Sequence, residues 1–259
     1  KDPFLVQDLN DLQYVRDMVN GNGYKPYSFE GQVLKLTAAT YNLNSLPTWE
    51  PIGTLKDGCT TTGNGVNILP FCGILDGNGK RVICGTNGKP LFGYVRRATV
   101  RNLNIFGQKI KGYGLVENYC VDYGPTGIYV NDPVKNRTID IENVTIEGGT
   151  PRNPSRILKS GFIGGYASGV NQINIRNCTI EPNVIIGDSG SWGDLGDTSY
   201  GYGFISEGFD HRDNIGSFAG AFNGTITNSV SYATVYGRKN VGGLVGMKGQ
   251  SMGSCDILN

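Results

Sequence analysis

The densest run of groups able to do chemistry is 187–213, GDSGSWGDLGDTSYGYGFISEGFDHRD. It holds Asp188, Asp194, Asp197, Glu207, Asp210, His211 and Asp213, interleaved with Trp192, Tyr200, Tyr202, Phe204 and Phe209. Carboxylates accept hydrogen bonds from sugar hydroxyls or ligate Ca²⁺, and aromatic faces stack on sugar rings. Trp192, Asp194, Asp197, Tyr200, Tyr202, Glu207 and Asp210 are therefore the candidate ligand-binding residues. The plainer reading of the same run is a long surface loop that packs its aromatics on its own scaffold. Glycoside hydrolysis would need two of these acids to converge across a groove, about 5–10 Å apart. No catalytic residue is assigned. His211 is the sole histidine and has no recognisable nucleophilic Ser or Cys beside it, so a triad is not written here.

Smaller signals resolve toward structure. Asp76-Gly77-Asn78-Gly79 resembles part of a calcium loop but lacks the later ligands and the downstream Glu, which leaves a corner turn as its reading. Arg96, Arg97 and Arg101 read as a solvated basic face. The six cysteines include no C-x-x-C pair, and one histidine cannot complete a structural zinc site, so no metal site is expected. Cys178 and Cys255 sit in strand-like runs and read as small buried hydrophobes. Cys59, Cys72 and Cys84 crowd the first third, where an exported protein has room for one disulfide. Four Asn-x-Thr sequons, at Asn136, Asn143, Asn177 and Asn223, arise easily in Asn/Thr-rich strands and decide nothing.

The balance of 23 Lys+Arg against 22 Asp+Glu leaves no electrostatic footprint for nucleic acid or an anionic membrane. No apolar run reaches the ~20 residues that cross a bilayer. High Gly, Asn, Thr and Tyr with sparse Lys favours an exported β-protein.

The elements that must position these groups are short. In 71–107, apolar runs of strand length alternate with Asp-Gly and Asn-Gly corners, where Gly and Asn adopt positive φ cheaply. Ahead of it, 4–20 carries Leu5, Leu9, Leu12, Val15 and Val19 at three- and four-residue steps. That spacing predicts one amphipathic helix stopped at Gly21-Asn22-Gly23, within a capping segment over 4–31. Residues 32–37 alternate as a strand and 55–70 read as a polar surface loop.

A small residue, two apolar residues and a glycine recur in KPLFG (89–93), SGFIG (160–164), GSFAG (216–220) and GGLVG (242–246). After each comes a strand with a central small or polar residue: VRNLNI (100–105), NIRNCTI (174–180), TITNSV (225–230) and GSCDI (253–257). IDIENVTIEG (139–148) has this second half without an evident first half. Units of about 20–30 residues that stack on their neighbours are the signature of a solenoid. Corners rich in Gly and Asn, stacked aliphatics and a repeated Asn able to form a side-chain ladder point to a parallel β-helix rather than a hairpin sandwich.

WEPIGT (49–54), PFCGILDGNGK (70–80), LFG (91–93) and VRNLNIFG (100–107), in that order, resemble the opening of GLUG-motif surface proteins, and GGLVGMKGQSMGSCDI (242–257) resembles the GLUG repeat itself. The resemblance implies a bacterial exported or cell-wall-attached protein, an all-β right-handed parallel β-helix and an N-terminal helical cap. LKLTAATYNL (34–43) departs from it where the family more often shows an Asp-Ile-Asp run, so no role for those acids carries over.

The expectation is one domain over 1–259, a fragment of a longer secreted or cell-surface protein, with 187–213 projecting from it. Its function is then non-enzymatic and monomeric: adhesion, or presentation of binding loops toward a glycan or host surface protein. A carbohydrate-active enzyme, lyase or glycosidase, using the 188–213 carboxylates is the alternative. No cofactor is required; Ca²⁺ on the acidic loop is the sole candidate. A weaker third reading is an accessory domain of a secreted protease.

Overall fold

The computed structural model describes residues 2–55, 68–85, 88–119, 138–163, 173–187, 213–222, 224–237, 239–248 and 255–258. Eight strands run parallel through its largest sheet in the order Phe4–Val6, Val33–Leu36, Ile74–Cys84, Thr99–Gly107, Ile139–Ile146, Ile173–Arg176, Gly224–Thr227 and Cys255–Leu258. Each is a spatial neighbour of the next along the chain. Parallel neighbours cannot be joined by a tight turn, so the chain must travel a long way between them.

The register explains the sequence pattern. Leu34, Leu75, Val100, Ile141, Ile175 and Ile226 oppose one another strand by strand, each no more than 1% exposed. A fully buried aliphatic side chain contributes about 1.5–3 kcal/mol by leaving water, so this column is a main source of cohesion. Two residues further along, Asn102, Asn143, Asn177 and Asn228 all adopt left-handed backbone, with φ of 53°, 50°, 53° and 47°. This is the recurrent central polar residue of the sequence. Asn enters that region more readily than other residues because its short amide bonds locally. The left-handed residue bends the strand and inserts one position into the in-out alternation. A second buried column follows, formed by Val82, Ile105, Ile146 and Ile180. In Ile74–Cys84 the corner is enlarged: Gly77, Asn78 and Gly79 stand opposite Asn102 alone, with the register shift falling between Asp76 and Lys80.

Two more rows face the same core. Ile110, Ile157, Ile186 and Val235 align through parallel pairs. Ile52, Phe92, Val116, Ile163, Ala219 and Val245 align likewise. The residue preceding each apolar partner also bonds across the row: Phe92 N–H donates to Leu115 O, Val116 N–H to Phe162 O and Phe218 N–H to Leu244 O. The recurrent Gly-containing element is therefore one row of rungs. Gly114-Leu115-Val116 is a rung of it and supplies the first half that 139–148 lacked. The pattern conceals it because Glu117 stands where the other five rungs have Gly53, Gly93, Gly164, Gly220 and Gly246.

The N-terminal segment divides differently from the expected helix over 4–20. Phe4–Val6 is the first strand of the large sheet, and the helix is Leu9–Asn20. The reason is local: the Asp8 carboxylate accepts from Asp11 N–H at 3.0 Å while Gln7 N–H donates to Asp11, which starts the helix there. Gly21, at φ 76°, closes it as expected. Leu12, Val15 and Val19 are buried in the common core, whereas Leu5 is 54% exposed on the strand. Of the polar loop expected at 55–70, Thr54–Leu55 and Ile68–Leu69 pair antiparallel, and 56–67 lie outside the described residues. Cys72, Cys84 and Cys178 are buried free thiols. Burial pushes Cys84 up to about 12 and Cys178, despite backbone hydrogen bonds, to about 11, so both behave as small hydrophobes, as expected for Cys178. Of the three cysteines with room for a disulfide, Cys72 and Cys84 are free thiols and Cys59 lies outside the described residues.

Candidate functional site

The candidate binding residues Trp192, Asp194, Asp197, Tyr200, Tyr202, Glu207 and Asp210 lie outside the described residues, as do His211 and Asp188. Among the described residues, no three His, Cys, Asp or Glu side chains gather in a way that would hold a metal ion. No described helix is long and apolar enough to cross a membrane.

Among the described residues, two arrangements of charged groups stand out. The first is the outer face of the large sheet, where Lys35, Asp76, Arg101, Glu142 and Arg176 stand in register with alternating sign. Arg101 pairs with Asp76 at 3.0 Å, and Arg176 pairs with Glu142 and, at 3.2 Å, with Asp140. Amides complete the array: Asn143 Nδ2 donates to Asn102 Oδ1 at 2.9 Å, Asn102 Nδ2 to Asp76 at 3.1 Å and Asn174 Nδ2 to Asp140 at 2.9 Å. Burial pushes the Asp76 carboxyl up, but the amide of Asn102, the N–H of Asn78 and the Arg101 guanidinium outweigh it and hold the group below its ordinary range. These acids are engaged as structural partners of neighbouring strands. Arg96, Arg97 and Arg101 do not act as one basic face: Arg97 reaches Glu30 at 3.5 Å, Arg96 bonds the Cys72 thiol and Arg101 belongs to the ladder.

The second place is a cleft on the flank of the rung row, enclosing about 40 Å³. Its walls come from consecutive rungs: Pro51 and Gly53, then Pro90 and Gly93, then Gly112 and Glu117, with Lys89, Lys111 and Lys159 around them. Neighbouring elements bond to these walls. Asn20, at the helix end, donates through Nδ2 to Pro51 O at 3.0 Å and accepts from Gly53 N–H at 2.8 Å. Trp49, 1% exposed, donates from Nε1 to Pro90 O at 2.9 Å, and the Arg16 guanidinium lies over its ring at 5.5 Å. Gly53 and Gly93 press backbone against backbone; a Cβ on Gly93 would fall 2.3 Å from Gly53 O.

Glu117 is half-buried in this cleft and accepts from Tyr113 N–H at 3.3 Å. Burial pushes its carboxyl above the usual range, against the attraction of Lys159 and the bond from Tyr113. A Cβ on Gly112 would meet Glu117 Oε2 at 2.2 Å, so the bare backbone at 112 makes room for the carboxyl. The Lys159 ammonium lies 5.1 Å over the Tyr113 ring, while Lys89 bonds both oxygens of Glu50 at 2.6 and 2.7 Å. The arrangement sets the Lys159 ammonium and a carboxyl of raised pKa on one small cleft. Sequence reading missed it because its charges come from four separate segments; the one legible trace was a Glu where sibling rungs carry Gly.

No protein-family model matches the chain, and no curated protein or solved structure does either.

Proposed function

We propose that the chain is a β-helical, non-enzymatic module of a secreted or cell-surface protein that presents binding surfaces toward a glycan or host surface protein. The observation that carries this reading is the six-rung row from Ile52 to Val245, aligned with the large parallel sheet around one aliphatic core. Strands that each pair with the next across long connections are what a solenoid needs, and parallel crossovers are right-handed almost without exception. The resemblance of 242–257 to the GLUG repeat points the same way. Engagement of Asp76, Asp140 and Glu142 by Arg and Asn favours a structural over a chemical role for the sheet face.

The test is a glycan array with the purified chain, run with Ca²⁺ and with a chelator, beside an assay for products released from polysaccharide. Saturable binding without product supports the module, and loss in chelator assigns Ca²⁺ to the binding surface. Turnover of a polysaccharide would replace this reading with the carbohydrate-active enzyme. Trp192→Ala is expected to weaken glycan binding that runs through 187–213 while leaving the melting temperature unchanged.

A further inference from the structure

We propose that Tyr14 and Tyr24 form an oxidative cross-linking site, at which a one-electron oxidant joins the two phenol rings as dityrosine. Leu12, Val15 and Val19 are the buried side of the helix Leu9–Asn20, and Tyr14, on its other side, is 49% exposed. Tyr24 is 46% exposed, and the two ring centres lie 5.2 Å apart with their planes at 81°. The chain is bent back to make that contact. Gly21 and Gly23, both at φ 76°, reverse it after the helix. The N–H groups of Gly21 and Asn22 donate to Asp17 O, the Asn22 amide donates to the Asp17 carboxylate at 3.2 Å, and Tyr27 N–H donates to Met18 O at 2.9 Å. These bonds fix the chain on both sides of Tyr24 against the helix. Holding two reacting groups in contact turns a bimolecular coupling into a unimolecular one.

The chemistry needs only the two rings and an oxidant. Each phenol gives up one electron and its hydroxyl proton, leaving a phenoxyl radical shared with the ring carbons beside the oxygen. One such carbon from each ring forms the new carbon–carbon bond. The hydrogen on each bonded carbon then moves to the oxygen, which restores two phenols. The pair has lost two electrons and two protons, and a peroxide, acting through a peroxidase-type oxidant, takes them up as two waters. The product closes a ring over Gly21-Asn22-Gly23 and ties the segment after the helix to the helix packed on the core. The pairing rests on geometry alone, whereas exposure to a peroxide rests on the exported reading above.

Treating the purified chain with peroxide and a peroxidase at low protein concentration, then digesting the monomer with trypsin, tests the proposal. Cleavage after Arg16 puts Tyr14 and Tyr24 on separate peptides, so mass spectrometry reads the link as one joined species, lighter than their sum by two hydrogens. Tyr27 is the internal control: it is 41% exposed and three residues from Tyr24, but its ring packs on Phe29 at 4.8 Å. Fragmentation is expected to place the link at Tyr14–Tyr24 several times more often than at Tyr14–Tyr27, and both Tyr14→Phe and Tyr24→Phe should abolish it. Each variant keeps both rings and should melt like wild type. Equal linkage of Tyr14 to Tyr24 and Tyr27 would overturn the role of the fold, and a link of undiminished yield in Tyr24→Phe would overturn the pair. Absence of any joined peptide, with the peroxidase active on free tyrosine, would overturn the site. None of these results touches glycan binding, which the array decides separately.

Discussion

At Asn102 two properties of one side chain are used together. Its backbone sits at φ 53°, and its amide links Asp76 on one neighbouring strand to Asn143 on the other. The two contributions separate by substitution. Asn102→Ala should destabilise by about 2–3 kcal/mol, combining left-handed strain with a lost hydrogen bond, while Asn102→Gly loses the bond but relieves the strain. Chemical denaturation of the pair checks this, and equal losses would show that backbone conformation is not the larger part. Glu117 gives the opposite case, a residue kept at some cost to the fold. Its folded pKa is raised, so its contribution is complete below the unfolded value of about 4.3 and is lost as pH rises through the folded one. Glu117→Gln should therefore melt like wild type near pH 4 and higher than wild type at pH 7. The asparagines were legible in the sequence because they recur at one place in a repeated strand. Glu117 was not, since its significance lies in what its sibling rungs lack.

Among the elements, the aliphatic columns dominate. Ile175 is fully buried between Ile141 and Ile226, so Ile175→Ala should cost about 2–5 kcal/mol, measured by urea unfolding, with no change in any surface property. Strand length, alternation and Asn-Gly corners made this part of the fold readable, and Val33–Leu36 and Thr99–Gly107 fall where the pattern predicts. Periodicity was less able to divide 4–20. Phe4–Val6 carries apolar residues compatible with either period, and it becomes a strand because Leu34 to Leu36 offers a free edge that no local signal reveals. The Gly114-Leu115-Val116 rung was hidden by a single atypical residue. The cleft was hidden for a different reason: Pro51, Pro90, Glu117 and Lys159 are far apart in sequence, and only stacking brings them together.

For the molecule as a whole, stability is shared between neighbouring strands rather than concentrated in one centre. Each strand of the large sheet touches the strand before and the strand after, and the charge ladder Lys35, Asp76, Arg101, Glu142 and Arg176 repeats that nearest-neighbour logic on the outer face. A residue inserted between Ile173 and Arg176 would move the buried set of that strand to the outer face. It should unfold cooperatively with its two neighbours, seen as loss of amide-exchange protection spreading both ways from the insertion.

The left-handed asparagines at 102, 143, 177 and 228 are separated by 41, 34 and 51 residues, yet the strands around them align residue for residue. The columns thus measure nothing about the length of chain between them. Such a molecule inherits change unevenly. Descendants can lengthen, shorten or exchange a connecting segment without disturbing the stack, while a gain at a corner has to be absorbed on the spot, as Gly77, Asn78 and Gly79 are opposite Asn102. Change would be grafted onto the connections, with the stacked strands as the fixed frame against which each graft is tried.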